Sequence, residues 1–260
     1  MAMSRFSNLE FGHESDDQAS ERTPQVKDQD YYLSEARSAF ENGEFEAGLR
    51  LYSKVLEFDP QNAAAWSGQV RMLIELGEFR EAKLWADKAL ERFPHDPELL
   101  AAKAVALGRI GDLQGALAFS DASIEERGDS PYIWLARGDV LLARQETRAD
   151  YCLEKALLLA PNDWFTAWLA ARIRHYYEQF ALALKLLQRA IELNAAHFLL
   201  WLELGRCQQA LGMIGPARSS FGQAHQLNPR SREVELAVAQ LSGSGLRLRL
   251  RGFWRRALGR

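Results

Sequence analysis

The sequence predicts an all-α fold: a solenoid of six helix-turn-helix repeats closed at its far end by a capping helix. Three recurring columns carry that expectation. A residue that stops the second helix recurs at Pro60, Pro94, Pro161 and Pro229, with Gly128 and Ala195 filling the other two slots, at steps of 34, 34, 33, 34 and 34. A small residue late in each second helix gives Val55, Ala89, Ser123, Ala156, Ala190 and Ala224 at the same steps. A large residue early in each first helix gives Tyr32, Trp66, Leu100, Trp134, Ala167 (with Trp168 beside it) and Trp201. Four residues later comes a small one: Ala36, Val70, Ala104, Gly138, Ala171 and Gly205.

These residue types follow from packing. A single helical hairpin cannot bury its apolar face, so each completes its core with the next. Two helices approach closely only where side chains are small, which places Ala82, Ala116, Ala149, Ala183 and Ala217 opposite positions such as Gly138 and Gly205. The large residue then fills the remaining gap, because protein interiors pack without voids. Gly43, Gly77, Gly111 and Gly212 fall where the first helix must turn back, a place for a residue free to take positive φ. The prolines end the second helices, whose interior they cannot enter.

In chain order, residues 1–28 are acidic and lack periodicity, and are expected to be a disordered tail. Phe6, Leu9 and Phe11 in that tail are either chance apolar residues or a short docking segment. The six repeats occupy 29–230. The third, 96–130, is the most degenerate, with Leu100 in the large slot and Ser120 and Ser123 where bulkier residues or Ala are expected; looser packing is anticipated there. The fourth, 131–162, lacks one residue between Leu141 and Ala149. The fifth, 163–196, is rich in aromatic residues. Residues 231–241 read as the capping helix, with Val234, Leu236, Ala237 and Leu241 available to cover the last repeat. Residues 242–260 form a flexible joint and a basic segment, LRLRLRGFWRRALGR.

A period of 34 with this alternation of large and small residues resembles the tetratricopeptide repeat family over residues 29–230. The resemblance implies a right-handed superhelix whose first helices line a concave groove for an extended peptide. Some members hold a chaperone's terminal carboxylate with a clamp of Lys, Asn and Arg. Here the corresponding positions are Leu33, Arg37, Ser67 and Gly68, so that activity is not implied.

The same residues restrict function. The five histidines are scattered with no pair three or four apart, and no phosphate loop, nucleophile elbow or Cys-x-x-Cys occurs. Cys152 and Cys207 have no metal or disulfide spacing and read as buried apolar residues in a reducing compartment. No enzyme activity, cofactor, metal or small-molecule substrate is expected. No apolar run approaches the ~20 residues that span a bilayer, and the start has no secretory pattern, so a cytoplasmic protein is expected, with a peripheral membrane position as an alternative.

The net charge of −3 conceals an asymmetry: residues 1–30 carry −4, residues 243–260 carry +6, and the stretch between them −5. Five residues after each large slot stand Arg37, Arg71, Val105, Asp139, Arg172 and Arg206. Four arginines in one register either grip carboxylates of an acidic partner or pair with Glu41 and Glu75 along their own helices. In the fifth repeat Phe165, Trp168, His175 and Tyr176 share the expected face of Arg172. They are either interface anchors or fillers between repeats.

The expected partner is therefore a protein or peptide, acidic or aromatic-containing, met by Arg37, Arg71, Trp168, Arg172, Tyr176 and Arg206. In the terminal segment, Arg247, Arg249, Arg251, Trp254, Arg255 and Arg256 suit an anionic membrane surface, or a loose tail that neutralises the acidic repeats. Nucleic acid is the weakest of these partners, because the repeats themselves are acidic.

Overall fold

The computed structural model describes residues 27–127 and 129–241. Residues 1–26 and 242–260 lie outside it, and with them the expectations for Phe6, Leu9, Phe11 and the terminal arginines and Trp254. Among the described residues the regular structure is entirely helical.

Twelve helices alternate in pairs: α1 (Gln29–Glu41), α2 (Phe45–Phe58), α3 (Ala63–Glu75), α4 (Phe79–Arg92), α5 (Pro97–Ile110), α6 (Leu113–Arg127), α7 (Pro131–Ala143), α8 (Ala149–Leu159), α9 (Trp164–Tyr176), α10 (Phe180–Leu193), α11 (Phe198–Ala210) and α12 (Ile214–Leu227). A further helix, α13, spans 232–241. This is an all-α repeat fold. Contacts divide the chain into two compact units, 1–156 and 157–260. In the first, consecutive helices from α1 to α7 pack in turn, and α5 also touches α3 and α7. In the second, α9 to α12 pack in turn.

Most first helices are started by a local device. Asp28, Asn62 and Asp96 accept the amides of Tyr31, Ala65 and Leu99 at 2.9, 2.9 and 2.8 Å, and Asp163 accepts that of Thr166 at 3.0 Å. The turn between the two helices of a repeat needs one left-handed residue. Gly43, Gly77, Gly111 and Gly212 take φ of 73, 79, 102 and 76°. Gln145 and Glu178 occupy the same slot at 58° without being glycine. Gln145 follows Gly111 by 34 and Ala149 follows Ala116 by 33, so the missing residue falls between Gln145 and Ala149. Helix α8 starts only after that short turn.

The small-residue columns do the packing expected of them. Ala82, Ala116, Ala149, Ala183 and Ala217 are fully buried. A Cβ on Gly205 would lie 2.4 Å from a carbon of the Phe221 ring, and one on Gly68 equally close to the Tyr52 ring. Ala167 and Trp168 are both buried, so the fifth hairpin keeps its large side chain one residue later. The third hairpin corrects the expectation of loose packing: Ser120 and Ser123 are buried, and Ser123 Oγ donates to the Pro97 carbonyl at 2.7 Å. A hydrogen bond between α6 and the start of α5 replaces the missing apolar contact.

Helix α1 differs from the interior first helices in what one face carries. In α3, Gly68, Gln69 and Met72 are buried, and Gly68 lies under the Tyr52 ring of α2. Their counterparts in α1, Ser34, Glu35 and Ser38, are exposed and polar. That face of α1 is built for water.

Candidate interaction surface on the first helices

In the register that carries the four arginines, Asp139, Arg172 and Arg206 take part in ion pairs between helices. Glu203 on α11 is the best example in the second unit. Its carboxylate is 7% exposed and receives Arg172 of α9 at 3.2 Å and Arg206 of its own helix at 3.0 Å. Arg206 also reaches Glu233 of α13 at 3.1 Å. Burial would raise the Glu203 acid, but Arg172, Arg206 and His175 outweigh it and hold the carboxyl below its usual range. Burial also pushes the imidazole of His175, beside the same group, below its usual value, against the pull of the Glu203 carboxylate. Arg172 lies over the Trp168 ring, 5.1 Å from its centroid.

The first unit has a comparable brace. Arg109 on α5 and Asp139 on α7 form a two-pronged ion pair, at 2.9 and 2.5 Å, with side chains 8% and 3% exposed. Asp139, which breaks the arginine row, is thus the acceptor for an arginine four positions further along the preceding first helix. Arg71 on α3 is held differently. Its guanidinium lies 4.9 Å from the Phe40 ring centre and 3.9 Å from that of Tyr132, and its Nε is buried with no hydrogen-bond partner. Burial pushes the Tyr132 phenol well up. Neither the Arg37–Glu41 nor the Arg71–Glu75 pairing forms among the described residues.

The six expected contact residues therefore separate. Trp168 is a correction: it is 1% exposed and belongs to the core, with Phe165 packed on it at 5.3 Å. An indole so buried has no face left for a partner. Arg172 and Arg206 share the Glu203 carboxylate. Arg71 is half-buried between rings. Arg37 is exposed with no ion-pair partner among the described residues, and Tyr176 is 47% exposed beside Tyr177. The six terminal residues from Arg247 to Arg256 lie outside the described chain.

Glu203, Arg109 and Tyr132 were not singled out from sequence. A signal existed for the two ion pairs: each acid follows its arginine by one repeat, less a turn, at 31 for Arg172–Glu203 and 30 for Arg109–Asp139. Among the described residues no cluster of His, Cys, Asp or Glu could hold a metal. No described helix is long and apolar enough to cross a membrane.

Residues 39–106 match the family model of the tetratricopeptide repeat. No curated protein sequence matches the chain. A thermophilic TPR protein of Thermus thermophilus is similar in structure, with a TM-score of 0.51 and 16% identity, over 82% of this chain and 98% of that one. The APC/C hetero-tetramer Cut9-Hcn1 contains a chain with a TM-score of 0.51 at 15% identity, over 84% of this chain and 44% of that one. A human IFIT1 dimer with PPP-AAAA contains a chain with a TM-score of 0.50 at 20% identity, over 84% of this chain and 57% of that one. The chain thus spans less than half of the Cut9-Hcn1 match and little over half of the IFIT1 chain. At such identities the likeness shows the fold.

Proposed function

We propose that this tetratricopeptide-type repeat chain is a non-catalytic scaffold that holds an extended segment of another protein on the first-helix face of its 1–156 unit. The observation that carries this reading is the state of the two arginines there. Arg37 is exposed, and Arg71 offers a guanidinium that meets rings but no carboxylate. An acidic side chain supplied from outside would complete both through charge-assisted hydrogen bonds. Phe40 is buried, which leaves half-buried Tyr132 as the ring beside Arg71 that can meet an aromatic residue of the partner. In the second unit the corresponding cations are already satisfied by Glu203 and Glu233, which is why the binding face is assigned to the first.

A displayed library of random peptides, selected on the full chain, tests this. Enriched peptides should carry Asp or Glu together with an aromatic residue. The Arg37→Glu chain, altered only at an exposed position, should lose them, while Arg172→Lys should keep them. Enrichment of basic peptides, or recovery indifferent to Arg37→Glu, would overturn the assignment.

A further inference from the structure

One position recurs just ahead of each first helix. It holds Asp28, Asn62, Asp96, Ser130, Asp163, His197 and, ahead of α13, Ser231, at steps of 34, 34, 34, 33, 34 and 34. A short polar side chain there accepts a free amide of the first turn. Asp28, Asn62, Asp96 and Asp163 do so, and Ser231 Oγ accepts the Val234 amide at 3.5 Å. Ser130 instead gives its hydroxyl to Glu98 at 2.9 Å. His197 makes no capping hydrogen bond, and its Nδ1 is buried with no hydrogen-bond partner. Its ring lies against α9, with centroids 4.4 Å apart and planes 30° from parallel to Trp164. The Phe198 ring is 5.8 Å away at 15°. All three rings are half-buried. The start of α11 is thus tied to the start of α9 by stacking, where most repeats use a cap.

We infer that His197 is a pH-dependent latch between α9 and α11, closed while its ring is neutral and released when the ring takes up a proton. The surroundings oppose the charge in three ways. An imidazolium carries a proton on both nitrogens, and at the buried Nδ1 that N–H has no acceptor. The cation would also stand at the N-terminal end of α11, where the helix dipole is positive. No carboxylate compensates it. On α9, Asp163 is engaged by the amides of Phe165 and Thr166, at 3.2 and 3.0 Å. On α10, Arg189 is itself a cation and donates to the Pro161 carbonyl at 3.2 Å, while Glu192 is exposed. Arg230 and Arg232, where α12 leads into α13, are exposed cations. None of these groups shifts the imidazole; burial does, and pushes it below its usual value. The stacked state therefore keeps its full stability above the ordinary histidine value of about 6.5 and loses it as pH falls from there towards the lower folded value. Release uncovers the Trp164 and Phe198 rings, so that acidity changes the apolar surface at this edge of the second unit.

Trp164 reports the state of the latch. In the full chain, acrylamide quenching of tryptophan fluorescence should rise between about pH 8 and about pH 5.5, a range that crosses the histidine titration and stays above that of ordinary carboxylates. Trp164→Phe should lose most of that rise, although the other tryptophans remain. His197→Phe, a ring that stacks but cannot charge, should keep the low neutral-pH quenching throughout. His197→Asn, which supplies the cap that α3 has and removes the ring, should be equally quenched at both ends of the range. His175→Gln should respond to acid as the wild type does, because His175 lies about three turns along α9 from Trp164. An acid response that persists in His197→Phe, or that survives Trp164→Phe undiminished, would overturn the inference. Wild-type quenching indifferent to acid would overturn it as well.

Discussion

Removing the Glu203 carboxylate should cost more than removing any surface charge of this chain. Taking one partner from a buried ion pair costs about 3–5 kcal/mol, because the remaining charge is left dehydrated. Arg172 and Arg206 keep 24% and 35% of their side chains exposed and can recover water, which places Glu203→Ala near the lower end, about 3 kcal/mol. At a slope of about 3 kcal/mol per molar urea, the unfolding midpoint should fall by about 1 M with the slope unchanged. Circular dichroism during urea titration measures it. Acidity gives a second test. The folded-state value of Glu203 lies below its ordinary one, so its stabilisation is complete above the ordinary carboxylate range and is lost as pH falls through the lower folded value. The midpoints of wild type and Glu203→Gln should therefore converge as pH falls below the ordinary carboxylate range and through the lower folded value. A neutral-pH shift below about 0.3 M, or a gap that stays constant with acidification, would refute the argument that this carboxylate clamps α9 to α11.

Three further outcomes follow from the packing. Gly205→Ala should destabilise by about 1–3 kcal/mol in the same titration, since the new methyl meets the Phe221 ring, itself buried and unable to withdraw. Gln145→Gly should raise the midpoint by an amount equivalent to about 1 kcal/mol, because the left-handed φ of 58° is free for glycine and strained for glutamine. Cys207, whose thiol burial pushes up to about 12, should stay unlabelled by a thiol reagent at pH 8 in the native protein and react once urea unfolds it; native labelling would show that α11 opens readily.

The repeat is legible in the residues alone, because each column answers to a local demand. A turn residue must go left-handed, a close helix crossing must be small, and a helix must be stopped. Those demands are met by residue type, so Gly77, Ala82 and Pro94 announce their places. The fifth hairpin is harder, since Trp168 sits one residue beyond its slot; only its burial shows that it serves as the missing large residue. The third hairpin misleads for a related reason. Serine reads as a defect in an apolar column until the Pro97 carbonyl is found within reach of Ser123.

The arginine row shows where sequence stops deciding. Four arginines in one register identify a face, but a charge is free or spent according to what lies opposite, and that partner stands about thirty residues away on another helix. Arg172 found Glu203 there and Arg206 found Glu233; Arg71 found two rings; Arg37 remained exposed. The sequence by itself determined the helices, their period and their order, because these depend on interactions within a few residues. The tertiary structure decided which charges remain for a partner, because Coulomb and stacking contacts depend on separations in space that a repeat period does not state.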